Sequence, residues 1–360
     1  MSAPTRDAAP AEVVHPTGRI LRTRNGGLSL RIDSRVLVVC LLILAAALAV
    51  CVVSIGTGDF PLSPAEVLRT LTGHGSKATE FVVITLRLPR VLTGLLVGAA
   101  LGVGGAVFQS LSRNPLGSPD IVGFTTGAAT GAVIALLVFH AGAAVVAVAA
   151  IVGGLVTALL VYLFAWKRGV QGYRLVLIGI GVSAMLASVN SYLLTRADVR
   201  DAQAAAVWLT GSLNGRGWEH VRPVAAALLV LLPILLLFGR RLRLLEMGDD
   251  TATALGVPAE RSRLILIVVA VAITAVATAS AGPIGFVALA APQVARRLVR
   301  APGVGLVSSA LMGAFLLVAS DLAAQRLLAP TQLPVGVMTG AVGGVYLAWL
   351  LAREWRSRIT

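Results

Sequence analysis

The feature that limits this chain most is a succession of apolar runs, each about as long as a bilayer crossing. A helix needs about 20 apolar residues to cross the roughly 30 Å of hydrocarbon in a membrane. Runs of that kind lie at about 36–55, 91–111, 120–140, 143–165, 175–195, 221–239, 304–325 and 335–352. Of the 360 residues, 57% are hydrophobic and 13% charged. A soluble domain carries about a quarter charged residues, and one globular core does not hide this much apolar surface. The expected fold is therefore all-α, a polytopic membrane protein.

The stretch 264–295 is apolar throughout, too long for one helix and short for two full ones. Gly282-Pro283 breaks it near the middle. Read as a helix over 264–281 and a short one over 283–295, it brings the total to about ten transmembrane segments. Charge tests that count. With the N-terminus in the cytoplasm, the 30 basic residues divide 21 inside to 9 outside. That asymmetry favours an N-in, C-in topology. Residues 1–34 then form a cytoplasmic tail expected to be disordered, 35–353 the transmembrane permease domain, and 354–360 a short cytoplasmic tail. Two halves offset by five spans would be inverted with respect to each other, an arrangement common in transporters, although no strong internal repeat is visible.

A net charge of +14 raises nucleic-acid binding. The arginines, however, sit between apolar segments and form no face or stripe. Cys40 and Cys51 both fall in the first apolar run and read as small packing residues, without disulfide or metal spacing. The four histidines form no cluster, and no metal site is expected. No segment matches G-x-x-x-x-G-K-[ST], and neither Lys77 nor Lys167 follows a glycine. Hydrolysis of ATP by a P-loop is not expected on this chain. Paired carboxylates at mid-membrane are also missing, which argues against ion-driven secondary transport. No catalytic constellation supports a membrane enzyme.

Arg87-Leu88-Pro89-Arg90 leads straight into the second span. Gly98, Gly102 and Gly105 follow, spaced for close helix packing. Arg113-Asn114-Pro115 then forces a turn. The whole string over 87–132, with R-L-P-R, then Q-S-L-x-R-N-P-L-x-x-P-D-I-x-G, resembles the FecCD/BtuC-type permeases of vitamin B12 and iron–siderophore importers. Further stretches agree in order and separation: Ala254-Leu255-Gly256-Val257, Gly282-Pro283-Ile284-Gly285-Phe286 leading to Pro292 and Arg296, and Leu333-Pro334-Val335-Gly336-Val337. The resemblance covers about 36–352, and the segment 320–340 is most similar to the ferric-enterobactin subset. Three positions depart from the family pattern. Gln293 stands where many relatives have histidine, Gln332 where many have glutamate, and Gln325 where many have an arginine, with Arg326 beside it.

The resemblance implies the permease subunit of an ATP-driven importer in the bacterial cytoplasmic membrane. It implies no cofactor on this chain, with ATP used by two partner ATPase subunits. The other partners are a substrate-binding protein and a second permease copy or a paralogue. A ferric siderophore is the implied cargo; vitamin B12 and haem stay open, and a transporter acting alone is the second class. Arg87 and Arg90, with Arg326 as a weaker third, are implied to meet acidic residues of the binding protein, or else simply anchor a helix start. The loop 242–263 resembles the helix that couples to the ATPase, with Asp249 or Asp250 capping it, Ala252 and Leu255 forming an apolar contact, and Gly256 ending it. The alternative is an ordinary capped loop helix. Ser183, Asn190 and Ser191 are spaced to share one helix face. They line the passage or bond to a neighbouring helix. Asn114, Pro115, Gly282, Pro283, Pro334 and Gly336 are motif positions with structural roles. The loop 196–220 is expected to form a short lateral helix without chemistry.

Overall fold

The structure, a computed structural model, describes residues 19–22, 29–58, 60–166, 172–301, 303–329 and 331–359, with only the backbone course for 19–22, 29–32, 347 and 349–359. Ten helices follow the ten expected segments. They are α1 (Ser34–Gly56), α4 (Leu88–Ser112), α5 (Phe124–Leu137), α6 (Ala143–Ala165), α7 (Gly172–Arg196), α9 (Trp218–Leu237), α12 (Ala259–Ala281), α13 (Val287–Val299), α14 (Leu306–Arg326) and α15 (Val335–Ile359). Among the described residues, seven helical stretches are long and apolar enough to cross a membrane by themselves, and α5 is a shorter apolar helix. The remaining helices are short connections: α2 (Pro64–Leu71), α3 (Lys77–Glu80), α8 (Val199–Leu209), α10 (Gly239–Glu246) and α11 (Asp249–Ala254). The lateral helix expected in 196–220 is α8. The last helix runs on to Ile359, through most of the segment expected to be a C-terminal tail. In the N-terminal segment expected to be disordered, β1 (Arg19–Arg22) pairs antiparallel with β2 (Ser29–Ile32).

Local chemistry explains the boundaries. Ser63 and Glu66 form a reciprocal capping box at the start of α2, which satisfies two orphan backbone donors. A π-helical turn, Phe81–Arg87, joins α3 to α4 in one continuous helical stretch, and Pro89, which has no N–H to give, follows that turn. At its far end Arg113 takes a left-handed conformation (φ 50°), and the Asn114 side chain accepts from the Leu116 N–H to close the turn before Pro115's successor residues.

Three helices form the axis of the bundle. The most apolar stretches of the helix ending in α4, of α12 and of α14 are 78%, 72% and 61% buried, against 17% for α1 and for α7. The outer helices therefore present bare apolar side chains, among them Leu42, Met185, Leu229 and Leu237. Against α4, the antiparallel α14 comes very close. A Cβ at Gly98 would fall on the Gly313 carbonyl, and one at Gly102 on that of Ser309. The small-residue spacing is therefore used for backbone approach.

The Gly282-Pro283 break produces a short helix, as expected, but it begins at Val287. Phe286 ahead of it holds φ 68°, a strained value for an aromatic residue. With 13 residues, α13 rises only about 20 Å. Its polar side chains fasten it to the end of α4. Gln109 donates to the Leu289 carbonyl at 2.9 Å and Gln293 to that of Pro115 at 2.8 Å, while Arg296 donates to Gln109.

Candidate functional site

At the end of the bundle where α4 begins, the loop after α1, the π-helical turn and the end of α14 enclose a cleft of about 430 Å³. Arg87, Arg90 and Arg326 all line it, together with Gln325 and Gln332. The three arginines named from the sequence thus share one site, but they are not equivalent. Arg87 donates to the carbonyls of Ile55 at 2.6 Å and Phe60 at 2.8 Å, which straps the loop after α1. Arg90 is turned inward. Its Nε and Nη2 donate to the two carboxylate oxygens of Asp321 at 3.0 and 2.9 Å. Asp321 is 3% exposed and Arg90 15%. Gln325 donates to the same carboxylate at 2.8 Å, and Gln332 accepts from Arg90 at 3.2 Å. Arg326, by contrast, is exposed. An incoming anion meets Arg326 directly and finds Arg90 already committed.

At the opposite end, α10 and α11 hang between α9 and α12. Gly248 (φ 115°) is the residue before α11 and makes no side-chain cap. Asp249 and Asp250 lie in the first helical turn, where they complement the helix dipole without capping it. Asp249 accepts from Arg263 of α12 at 2.5 Å and lies 3.7 Å from Arg113 at the end of α4. Ala252 and Leu255 do not form one contact surface. Ala252 is fully buried in the bundle, whereas Leu255 is 59% exposed, as is neighbouring Met247 at 65%. Gly256 takes φ 78° and ends the helix, with nothing near the place a Cβ would occupy. The outward surface of this loop is thus an apolar tip, Met247 and Leu255, beside the exposed Asp250.

The FecCD transport family matches residues 41–353. The ferric enterobactin transport system permease protein FepG of Escherichia coli is 49% identical over 327 residues, covering 91% of this chain and 99% of that one. The achromobactin transport system permease protein CbrC of Dickeya dadantii is 39% identical over 339 residues, covering 93% and 97%. A solved metal-chelate type ABC transporter in an inward-facing conformation superposes with a TM-score of 0.79 at 29% identity, covering 88% of this chain and 99% of that one.

The chain belongs to the FecCD transport family.

As a FecCD permease it is a polytopic membrane protein, and two of its three departures from the family pattern fall together in space. Gln325 and Gln332 both bond to the Arg90–Asp321 pair. Gln293 bonds to the turn at Pro115. The face expected on α7 is divided. Ser183 is half-buried, 3.4 Å from the Thr126 hydroxyl of α5, and Asn190 is buried, while Ser191 is exposed. The open face of α7 instead carries Met185, Ser188, Ser191, Tyr192 and Thr195. Helix–helix bonding therefore claims Ser183, and only Ser191 of the three points away from the protein.

The motif glycines meet in one joint. The turn Thr210-Gly211-Ser212 wedges between Gly282-Pro283 and Pro334–Gly336. Ser212 N–H donates to the Ala281 carbonyl at 2.8 Å, and Gly336 N–H to that of Gly211 at 3.1 Å. A Cβ at Gly336 would fall on the Thr210 carbonyl and one at Gly211 on that of Pro283. Gly211 and Asp321 were not singled out by sequence. An aspartate inside the apolar run at 304–325 is the one signal that pointed to the second of them.

Proposed function

We propose that this FecCD permease is the membrane-spanning subunit of an ATP-driven importer that carries a ferric siderophore across the bacterial cytoplasmic membrane. The arginine cleft receives acidic side chains of a substrate-binding protein, and the α10–α11 loop seats on an ATPase subunit. What supports this reading is one relationship. The α4 rod, about 37 Å by its 25 residues, carries Arg90 in the cleft at one end and Arg113 against the α11 loop at the other. Two chemically different surfaces, one cationic and one apolar, thus sit on the two ends of the same buried helix. The cargo follows from similarity along nearly the whole length of a ferric enterobactin permease.

A central passage needs a second permease copy or a paralogue, whose natural seat is the bare face of α7. In the cycle, ATP binding favours the closed pair of ATPase subunits and so biases the permease between its outward- and inward-open states. The reading is tested in cells lacking their own ferric-catecholate permease and supplied with this chain and its neighbouring ATPase and binding protein. Growth on a ferric catecholate as sole iron source supports it. Restored uptake of vitamin B12 or haem alone would keep the transporter class and overturn the cargo.

A further inference from the structure

We infer that Asp249 is a positioning residue that makes α11 move as one body with α12, and that the contact between α11 and α4 is a slip joint. This inference rests on the transport reading above. The two arginines on Asp249 hold it very differently. Arg263 lies in the first turns of α12 with its side chain 5% exposed, donating to Asp249 at 2.5 Å and to Glu260 at 2.9 Å. That guanidinium is buried and charge-assisted on two sides, while Asp249 and Glu260 keep 40% and 35% of their side chains exposed, so this is the closer and less hydrated of the two arms. Arg113 is 49% exposed and stands 3.7 Å from the same oxygen, beyond hydrogen-bond distance and open to water. The arm to α12 is therefore fixed and the arm to α4 exchangeable.

Ala252 is fully buried on the inner side of α11, in a core cluster that holds Val257, Leu266 and Ile267 as well as Val107, Phe108 and Leu111 of α4, so the asymmetry lies in the two ion pairs. The second tie to α4 comes from α10, where Ser110 donates to Glu246 at 2.6 Å. Gly248, at φ 115°, a conformation that favours glycine, separates α10 from α11. A push on Leu255 is thus delivered through Asp249 to α12, while Arg113 slides past Asp249.

The test uses the whole importer reconstituted in proteoliposomes with its ATPase and binding protein, and the readout is ferric siderophore moved per ATP hydrolysed. Asp249→Asn keeps the size and loses the charge. It lowers that ratio about fivefold or more, the lower range of coupling between sites. The ATPase stays attached through purification. Asp249→Glu restores most of the ratio, and Arg113→Gln stays within about twofold of the wild type. A wild-type ratio in Asp249→Asn overturns the inference. So does an Arg113→Gln effect as large as that of Asp249→Asn, because the α4 arm would then be a fixed one. Loss of the ATPase from the Asp249→Asn complex would make Asp249 a partner contact and overturn it too. If the wild-type assembly moves no siderophore with ATP, the transport reading itself fails, a result distinct from any of these.

Discussion

Arg90 and Asp321 stand 231 positions apart in the chain and meet in a bidentate ion pair, with contacts of 2.9 and 3.0 Å. This pair joins the start of α4 to the end of α14, so Arg90, expected on the docking surface, also ties the frame together. Removing one partner leaves the other charge uncompensated in a site with little water. Asp321→Asn is expected to destabilise the permease by about 3 kcal/mol, toward the low end for a buried pair because Arg90 keeps some contact with solvent. Thermal unfolding in detergent reads this. Arg326→Glu in the same cleft, being exposed, is expected to leave the midpoint unchanged within error.

Arg326 carries the opposite expectation for binding. Its reversal to glutamate places a negative charge at the open mouth of the cleft. Association with an acidic binding-protein surface should slow about tenfold at low salt, and the difference should shrink at high salt as the charges are screened. Stopped-flow association at two ionic strengths measures it. An unchanged rate at both would remove Arg326 from the docking surface.

At the other end, Leu255→Asp replaces the exposed apolar tip of α11 by a charge. The ATPase subunit should then be lost on co-purification, while the permease keeps its thermal midpoint. Ala252→Asp differs by three positions only, yet it buries an unpaired carboxylate and should lower the yield of folded protein. Equal behaviour of the two variants would contradict the division of this helix into an inner and an outer face.

The ten helices were legible because hydrophobic length and Gly-Pro punctuation are local signals, and even the awkward stretch 264–295 divided where Gly282-Pro283 stands. The partners of the motif residues were not legible, because pairing across 231 positions leaves no trace in periodicity. Arg90 looked like a surface cation until Asp321 was placed beside it. Ser183 and Asn190 share a helical face by spacing, but spacing does not say which face meets α5. Gly211 sits in an unremarkable Thr-Gly-Ser turn whose backbone contacts come from two distant loops. The α11 loop was legible as a helix with exposed chemistry, whereas the burial of Ala252 and the pairing of Asp249 with Arg263 on the following span were not.

The division of α7 is open to labelling. Ser191→Cys should react with a water-soluble maleimide in the isolated permease, and Ser183→Cys and Asn190→Cys should react at least about tenfold more slowly because the protein covers them. If Ser191→Cys becomes protected in the assembled importer and is protected further by ferric siderophore, that face borders the passage. Rapid labelling at position 183 would return it to the open face.

Gly336→Ala tests the joint between the three loops. The added methyl falls on the Thr210 carbonyl, so the start of α15 must shift. Overpacking of this kind costs about 1–3 kcal/mol. The expected result is a lower thermal midpoint, with Gly340→Ala, which meets nothing within 4 Å, as the neutral control.

The most direct test of the account is uptake of radiolabelled ferric siderophore into proteoliposomes holding this permease, its ATPase and its binding protein, with and without internal ATP. The account predicts accumulation only when ATP and all three components are present. Accumulation by the permease alone, without ATP, would contradict it and make the chain a transporter that works on its own.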